Sequence, residues 1–134
     1  MPVCATWRQG AGYFNGDGTI SISDTSNRPY KLSLSLIFVN QSYDQIKNVR
    51  DFLAKCHIGT SNILKTARGT ANMVAISEFR SVKRATASML PFLCKKEVEG
   101  RAALDYYEGR ATGNQLVAIF TAEVKSGSSR KAPQ

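Results

Sequence analysis

The sequence predicts an α+β fold, a four-stranded antiparallel sheet with helices on one face. Three observations predict it. Two stretches alternate with period two, Thr19–Ser23 and Lys31–Leu36, directly after a helix-like segment rich in small residues. A second pair of short strand-like stretches follows a second amphipathic helix. The last third of the chain reads as helix throughout. The resulting order is helix, two strands, helix, two strands, then helices, which suits an antiparallel sheet with its helices segregated to one side.

The elements follow in turn. Residues 4–15 form the first helix, opening around Trp7 and running into Gly10-Ala11-Gly12. Asn15-Gly16-Asp17-Gly18 favours a tight turn when taken as an isolated tetrapeptide. In Thr19–Ser23, Ile20 and Ile22 share one face, Ser21 and Ser23 the other. Residues 24–29 are turn-rich. In the next strand Leu32, Leu34 and Leu36 point to the core, while Lys31, Ser33 and Ser35 point outward. Residues 43–56 form a helix with Ile46, Val49, Leu53 and Cys56 on its apolar stripe. Asn62–Lys65 and Asn72–Ile76 form a second hairpin around Gly69. Ser77–Met89 is a helix ended by Pro91, and residues 96–108 and 114–124 are two more. Residues 1–124 read as one domain. Residues 125–134 are Ser, Gly, Pro and basic residues with nothing apolar to bury, a basic and disordered tail.

At 134 residues the chain can bury a real core. With 43% hydrophobic and 21% charged residues it has ordinary globular composition. No apolar run approaches the ~18–20 residues of a membrane helix, so no membrane partner is expected. Cys4, Cys56 and Cys94 are odd in number and far apart. They read as free thiols in a reducing compartment, without zinc-ligand spacing. Eighteen Lys and Arg against ten Asp and Glu leave a net charge of +8. Such a balance suits nucleic acid, whose neutralised phosphates release counterions. The sheet face without helices would carry Ser21, Ser23, Thr25, Lys31, Ser33 and Ser35, a polar hairpin of a shape that fits a DNA groove.

Gly10 to Gly18 resembles the signature segment of the LAGLIDADG homing endonucleases. Ala11, Gly12, Asp17 and Gly18 match that pattern directly, and Tyr13 and Phe14 stand at its middle apolar positions. Two strands, Val39-Asn40-Gln41 leading into a helix, a second hairpin, Ser77-Glu78-Phe79 and Leu90-Pro91-Phe92-Leu93 before Lys95 and Lys96 continue the likeness over residues 5–124. Gly10 departs from it, where a large aliphatic residue is usual, and so does Asn15, where Asp is frequent.

The resemblance implies an αββαββα core with a saddle-like sheet, and an intron-encoded, site-specific endonuclease that hydrolyses both strands of a long, near-palindromic DNA target. A single motif implies a homodimer, its signature helices meeting through Gly10, Ala11 and Gly12. It implies Asp17 as metal ligand and catalytic residue, the Gly16 carbonyl as a further ligand, and Mg²⁺ or Mn²⁺ as cofactor. Gln41 is implied to orient solvent at the scissile phosphate. Asn40 is its alternative, because strand and helix registers differ by one position; a bulge between Leu36 and Gln41 would reconcile them. Lys96 matches a basic residue that supports the transition state. Base recognition falls to Ser21, Ser23, Thr25, Lys31, Ser33 and Ser35 of the first hairpin and to Asn62, Lys65, Thr66, Arg68 and Asn72 of the second. No small-molecule substrate is implied. The location would be a prokaryotic cytoplasm, a chloroplast or a mitochondrion. The competing reading on the same fold is a non-cleaving RNA maturase or DNA-binding protein. His57 reads as structural or exposed, and Trp7, Tyr106 and Tyr107 as core or interface.

Overall fold

A computed structural model describes residue 4 and residues 6–24, 32–94 and 96–126. Helix α1 spans Trp7–Asp17. It starts later than periodicity suggests because Thr6 begins a capping box: the Gln9 N–H donates to Thr6 Oγ1 at 3.2 Å and the Thr6 N–H to Gln9 Oε1 at 3.1 Å. It also ends later. Asn15, Gly16 and Asp17 continue the helix, so the tight-turn reading is overturned. Gly18 then turns the chain at φ −70°, and strand β1, Thr19–Asp24, begins at once.

The requirement for glycine at 18 is steric. A Cβ there would lie 2.5 Å from Phe14 Cδ1 and 2.6 Å from the Phe14 carbonyl oxygen. The single-residue connection fixes Asp17 at the head of the sheet.

Strand β2, Leu32–Asn40, pairs antiparallel with β1. It outruns the predicted end at Leu36 because Ile37-Phe38-Val39 is apolar on both faces, which hides the alternation. Helix α2, Tyr43–Lys55, is capped by Ser42. Strand β3 is only Leu64–Lys65 and pairs with β4, Asn72–Ile76, across a turn in which Gly69 adopts φ +70°. The sheet order is β1-β2-β4-β3. Helix α3, Phe79–Met89, is capped by the Glu78 carboxylate, and backbone N–H donation from Arg80 holds that carboxyl below its ordinary range. A 3-10 turn, Leu90–Phe92, leads to α4, Glu97–Tyr107, and then to α5, Gly113–Ser126. Helix α5 includes Lys125 and Ser126, where the sequence predicts a disordered tail to begin; residues 127–134 lie outside the described residues. None of the described helices is long and apolar enough to cross a membrane.

The helices cover one face. Ile20, Leu34, Leu36, Phe38, Val74 and Ile76 are each 2% exposed or less, together with Phe14 of α1. The Phe14 and Phe38 rings pack edge-on at 5.2 Å. Strand β4 reaches only as far as the residue opposite Leu36. The N–H groups of Leu32 and Leu34 instead donate to the Tyr106 and Tyr107 hydroxyls, at 3.1 and 2.7 Å. These buried tyrosines lock α4 against β2 and satisfy amides that would otherwise be stranded. Trp7 packs on Phe52. His57 is exposed, at φ 63° in the turn that closes α2.

Candidate functional site

The site forms where α1 ends. Asp17 is the last residue of that helix, and its carboxylate is exposed. A carboxylate at the negative end of a helix dipole is poorly placed by itself, since both favour a cation. Gly16 is exposed and a Cβ there would meet nothing within 4 Å, so the backbone beside Asp17 is open to approach. Carboxylate and carbonyl oxygens are hard ligands, and the dipole adds to their negative potential. The pair therefore fits Mg²⁺ or Mn²⁺ better than a soft metal. Among the described residues no group of three His, Cys, Asp or Glu could hold a metal ion.

Lys96 is brought to the same turn. It is only 5% exposed, and its Nζ donates to the Asn15 carbonyl oxygen at 3.3 Å, below the Phe14 ring at 5.9 Å. A lysine before a helix is ordinarily a solvated residue; here burial commits the ammonium to the end of α1. The Asn15 side chain holds the approach loop: its Oδ1 accepts from the Cys94 N–H at 3.1 Å and its Nδ2 donates to the Phe92 carbonyl at 3.0 Å. One amide thus ties the 92–96 segment to the turn that carries Asp17. The sequence marks Asn15 only as a departure from a pattern, and both its partners lie more than 75 positions away. Lys95 lies outside the described residues.

The strand register leading to Asn40 and Gln41 is continuous. The β2–β4 ladder runs unbroken from Leu36↔Ile76 to Asn40↔Asn72, so the expected bulge is absent. In this register Asn40 shares the helix side with Leu36 and Phe38, two residues past the Phe14 contact. Its Oδ1 accepts from the Ser42 N–H at 2.9 Å. Gln41 lies beyond the strand and is exposed.

The expected contact of α1 with a second copy is also redrawn. Gly10 and Ala11 are buried in the chain's own core, Gly10 with Cys4, Trp7 and Phe52 around it. Burial pushes the Cys4 thiol up to about 11. Gly12 is exposed, with open space at its Cβ position, and Gly16 lies one turn further along the same face. The outward small residues are therefore Gly12 and Gly16.

The open sheet face carries two serine pairs, Ser21↔Ser35 and Ser23↔Ser33, as the alternation predicts. Ser35 Oγ also lies 3.0 Å from Ser77 Oγ. Asn62 and Arg68 are exposed, and Thr66 is half-buried in the β3–β4 turn. Thr25 and Lys31 lie outside the described residues. Asn72 corrects the prediction. It is 2% exposed on the helix side, and its Nδ2 donates to the carbonyls of Gln41 at 3.0 Å and Asn40 at 3.5 Å. Lys65 pairs with Asn72, so it belongs to that side of the sheet edge although it is exposed. Sequence reasoning missed Ile37, Val39, Leu64, Met73 and Ala75, which the ladder places on the open face.

No family model and no curated protein matches this chain. Solved structures do. An archaeal intron-encoded homing endonuclease complexed with DNA, I-Vdi141I, aligns with 96% of this chain and 86% of its own, at 14% identity and a TM-score of 0.68. The chain has the fold of the LAGLIDADG homing endonucleases. I-CvuI, solved with a DNA target in the presence of Mg, aligns with 96% of this chain and 83% of its own, at 14% identity and a TM-score of 0.64. The LAGLIDADG meganuclease I-AabMI, bound to uncleaved DNA, aligns with 96% of this chain but 46% of its own, at 12% identity and a TM-score of 0.63. This LAGLIDADG fold therefore corresponds to most of I-CvuI and to about half of I-AabMI. The segment Gly10 to Gly18 lies in α1 and the residue that follows it, with Asp17 at the end of the helix.

Proposed function

We propose that this chain is a divalent-metal-dependent, site-specific DNA endonuclease that works as a homodimer. One observation carries the reading: α1 ends in an exposed carboxylate, with a buried lysine held against the same turn, on a fold shared with DNA-bound endonucleases. A single carboxylate is too few for the chemistry. Two copies meeting along Gly12 and Gly16 would place two Asp17 side chains at one axis, each next to a Gly16 carbonyl. The metal, when bound there, supplies charge neutralisation and activates water.

The remaining roles belong to the chain. Lys96, buried against the Asn15 carbonyl, would add a fixed positive charge beside the end of α1 that needs no reorganisation as negative charge develops on the phosphate. Asn40, or Gln41 one residue further, orients the solvent molecule. The serine pairs of β1 and β2 hold the duplex in register and read base edges through hydroxyls and water. Two subunits bring a formal charge of +16, so DNA affinity should fall steeply with salt.

The test is Asp17→Asn, assayed with Mg²⁺ on a duplex selected from a random library by the unmodified protein. Binding should persist while cleavage falls by about 10²-fold or more, the scale of losing a transition-state stabiliser. Undiminished cleavage would remove Asp17 from the centre. Selective binding of structured RNA without any nicking of DNA would favour the maturase reading.

A further inference from the structure

The open sheet face changes character along its length. Far from Asp17 it bears the hydroxyls of Ser23, Ser33, Ser21 and Ser35. Near Asp17 it bears Ile37, Val39, Leu64, Met73 and Ala75. Ile37 lies opposite both Thr19 and Ala75, and Met73 lies opposite both Val39 and Leu64, so the five form one continuous strip. Leu64 is 51% exposed, and the other four are half-buried. Among the described residues the helices pack on the opposite face, where Leu36, Phe38, Val74 and Ile76 are fully buried. The strip is not needed for that core.

We infer that this strip reads thymine methyl groups in the major groove, in the half-site segment next to the scissile phosphates. The inference rests on the endonuclease reading above and deepens it by naming the bases. Three observations select DNA as the occupant. The strip continues the serine face without a step, it begins at Thr19, two residues from Asp17, and the chain carries +8. The chemistry then selects the base. Ile, Val, Leu, Met and Ala side chains offer no hydrogen-bond donor. Against either base pair they leave polar edge atoms dehydrated and unpaired, the guanine O6 and N7 and cytosine amino group in G·C and the adenine N7 and N6 and thymine O4 in A·T, and G·C offers nothing in return. Against A·T they meet the thymine C5-methyl, an apolar group that gains from leaving water. The thymine methyl is thus what separates the two base pairs on this strip. Segments read by hydroxyls discriminate weakly; this segment discriminates by a methyl group.

The experiment selects duplexes from a random library with the full chain, then replaces thymine by deoxyuridine at single positions, which removes only the methyl. The central segment of each recovered half-site should be rich in thymine. Each deoxyuridine there should weaken binding by about fourfold, the value of one buried methyl-sized group, with less effect in the outer, serine-read segment. Ile37→Gln and Met73→Gln should each move the preference at one central position toward adenine, which Gln pairs through N6 and N7. Recovered duplexes with G·C in that segment, or affinity indifferent to deoxyuridine, would overturn the inference and leave the endonuclease reading standing. Failure to enrich any duplex would overturn both.

Discussion

Asn15 shows how much one atom can decide. Its amide donates to Phe92 and accepts from Cys94 at the same time, and its own carbonyl receives the Lys96 ammonium. A carboxylate keeps the acceptor and loses the donor, setting one oxygen against the Phe92 carbonyl. Asn15→Asp should therefore loosen the 92–96 segment, lowering stability by about 1–3 kcal/mol. If Asn15 positions Lys96, single-turnover cleavage should fall about tenfold while DNA affinity changes little, a split that simple destabilisation would not produce. Urea unfolding and single-turnover assays of the same variant measure both. Asp17 and Lys96 are legible in the sequence through their motif context. The Asn15 clamp is not, because hydrogen bonds between residues 77 and 79 positions apart leave no local signature. Asn72 reads as a base-contacting amide, yet its donor is used by the carbonyls where β2 ends. Sequence polarity alone does not separate a buried amide with partners from an exposed one.

At the scale of elements, the α1–β1 junction is a tight joint. The chain passes from helix to strand through Gly18 alone, against the Phe14 ring and carbonyl. Gly18→Ala must push a Cβ into backbone, which cannot move as a side-chain tip can. Destabilisation of about 1–3 kcal/mol is expected, the usual cost of overpacking a well-filled site. Chemical denaturation checks it; an unchanged midpoint would mean that the junction relaxes freely. Most elements are legible from periodicity: the serine alternation of β1 and early β2, the stripe of α2 and the apolar face of α3. The second half of β2 is not, because Ile37 and Val39 are as apolar as Leu36 and Phe38. That masking hides the strip proposed to meet thymine and also suggests a bulge the ladder does not contain. Helix starts shift by a few residues where a cap decides them, at Thr6 and at Glu78.

At the scale of the molecule, the proposed function depends on what a single chain lacks. The fold supplies a polar and apolar sheet face, an excess of positive charge and one carboxylate at the tip of a helix with two open glycines. A second copy would double each of these about one axis. The α+β class and the helix-side core follow from the amphipathic patterns of the strands and helices. The orientation of α1 does not, since Gly10, Ala11, Gly12 and Gly16 are all small, and only packing shows that the first two turn inward. Mixing unmodified and Asp17→Asn subunits, allowed to exchange before assay on the selected duplex, tests the shared centre directly. If both strands are cut only when two intact Asp17 side chains meet, double-strand cleavage follows the square of the unmodified fraction. At one-quarter unmodified protein it should fall to about one-sixteenth. A fall to about one-quarter, in simple proportion, would mean that each chain cleaves by itself, and would contradict the account.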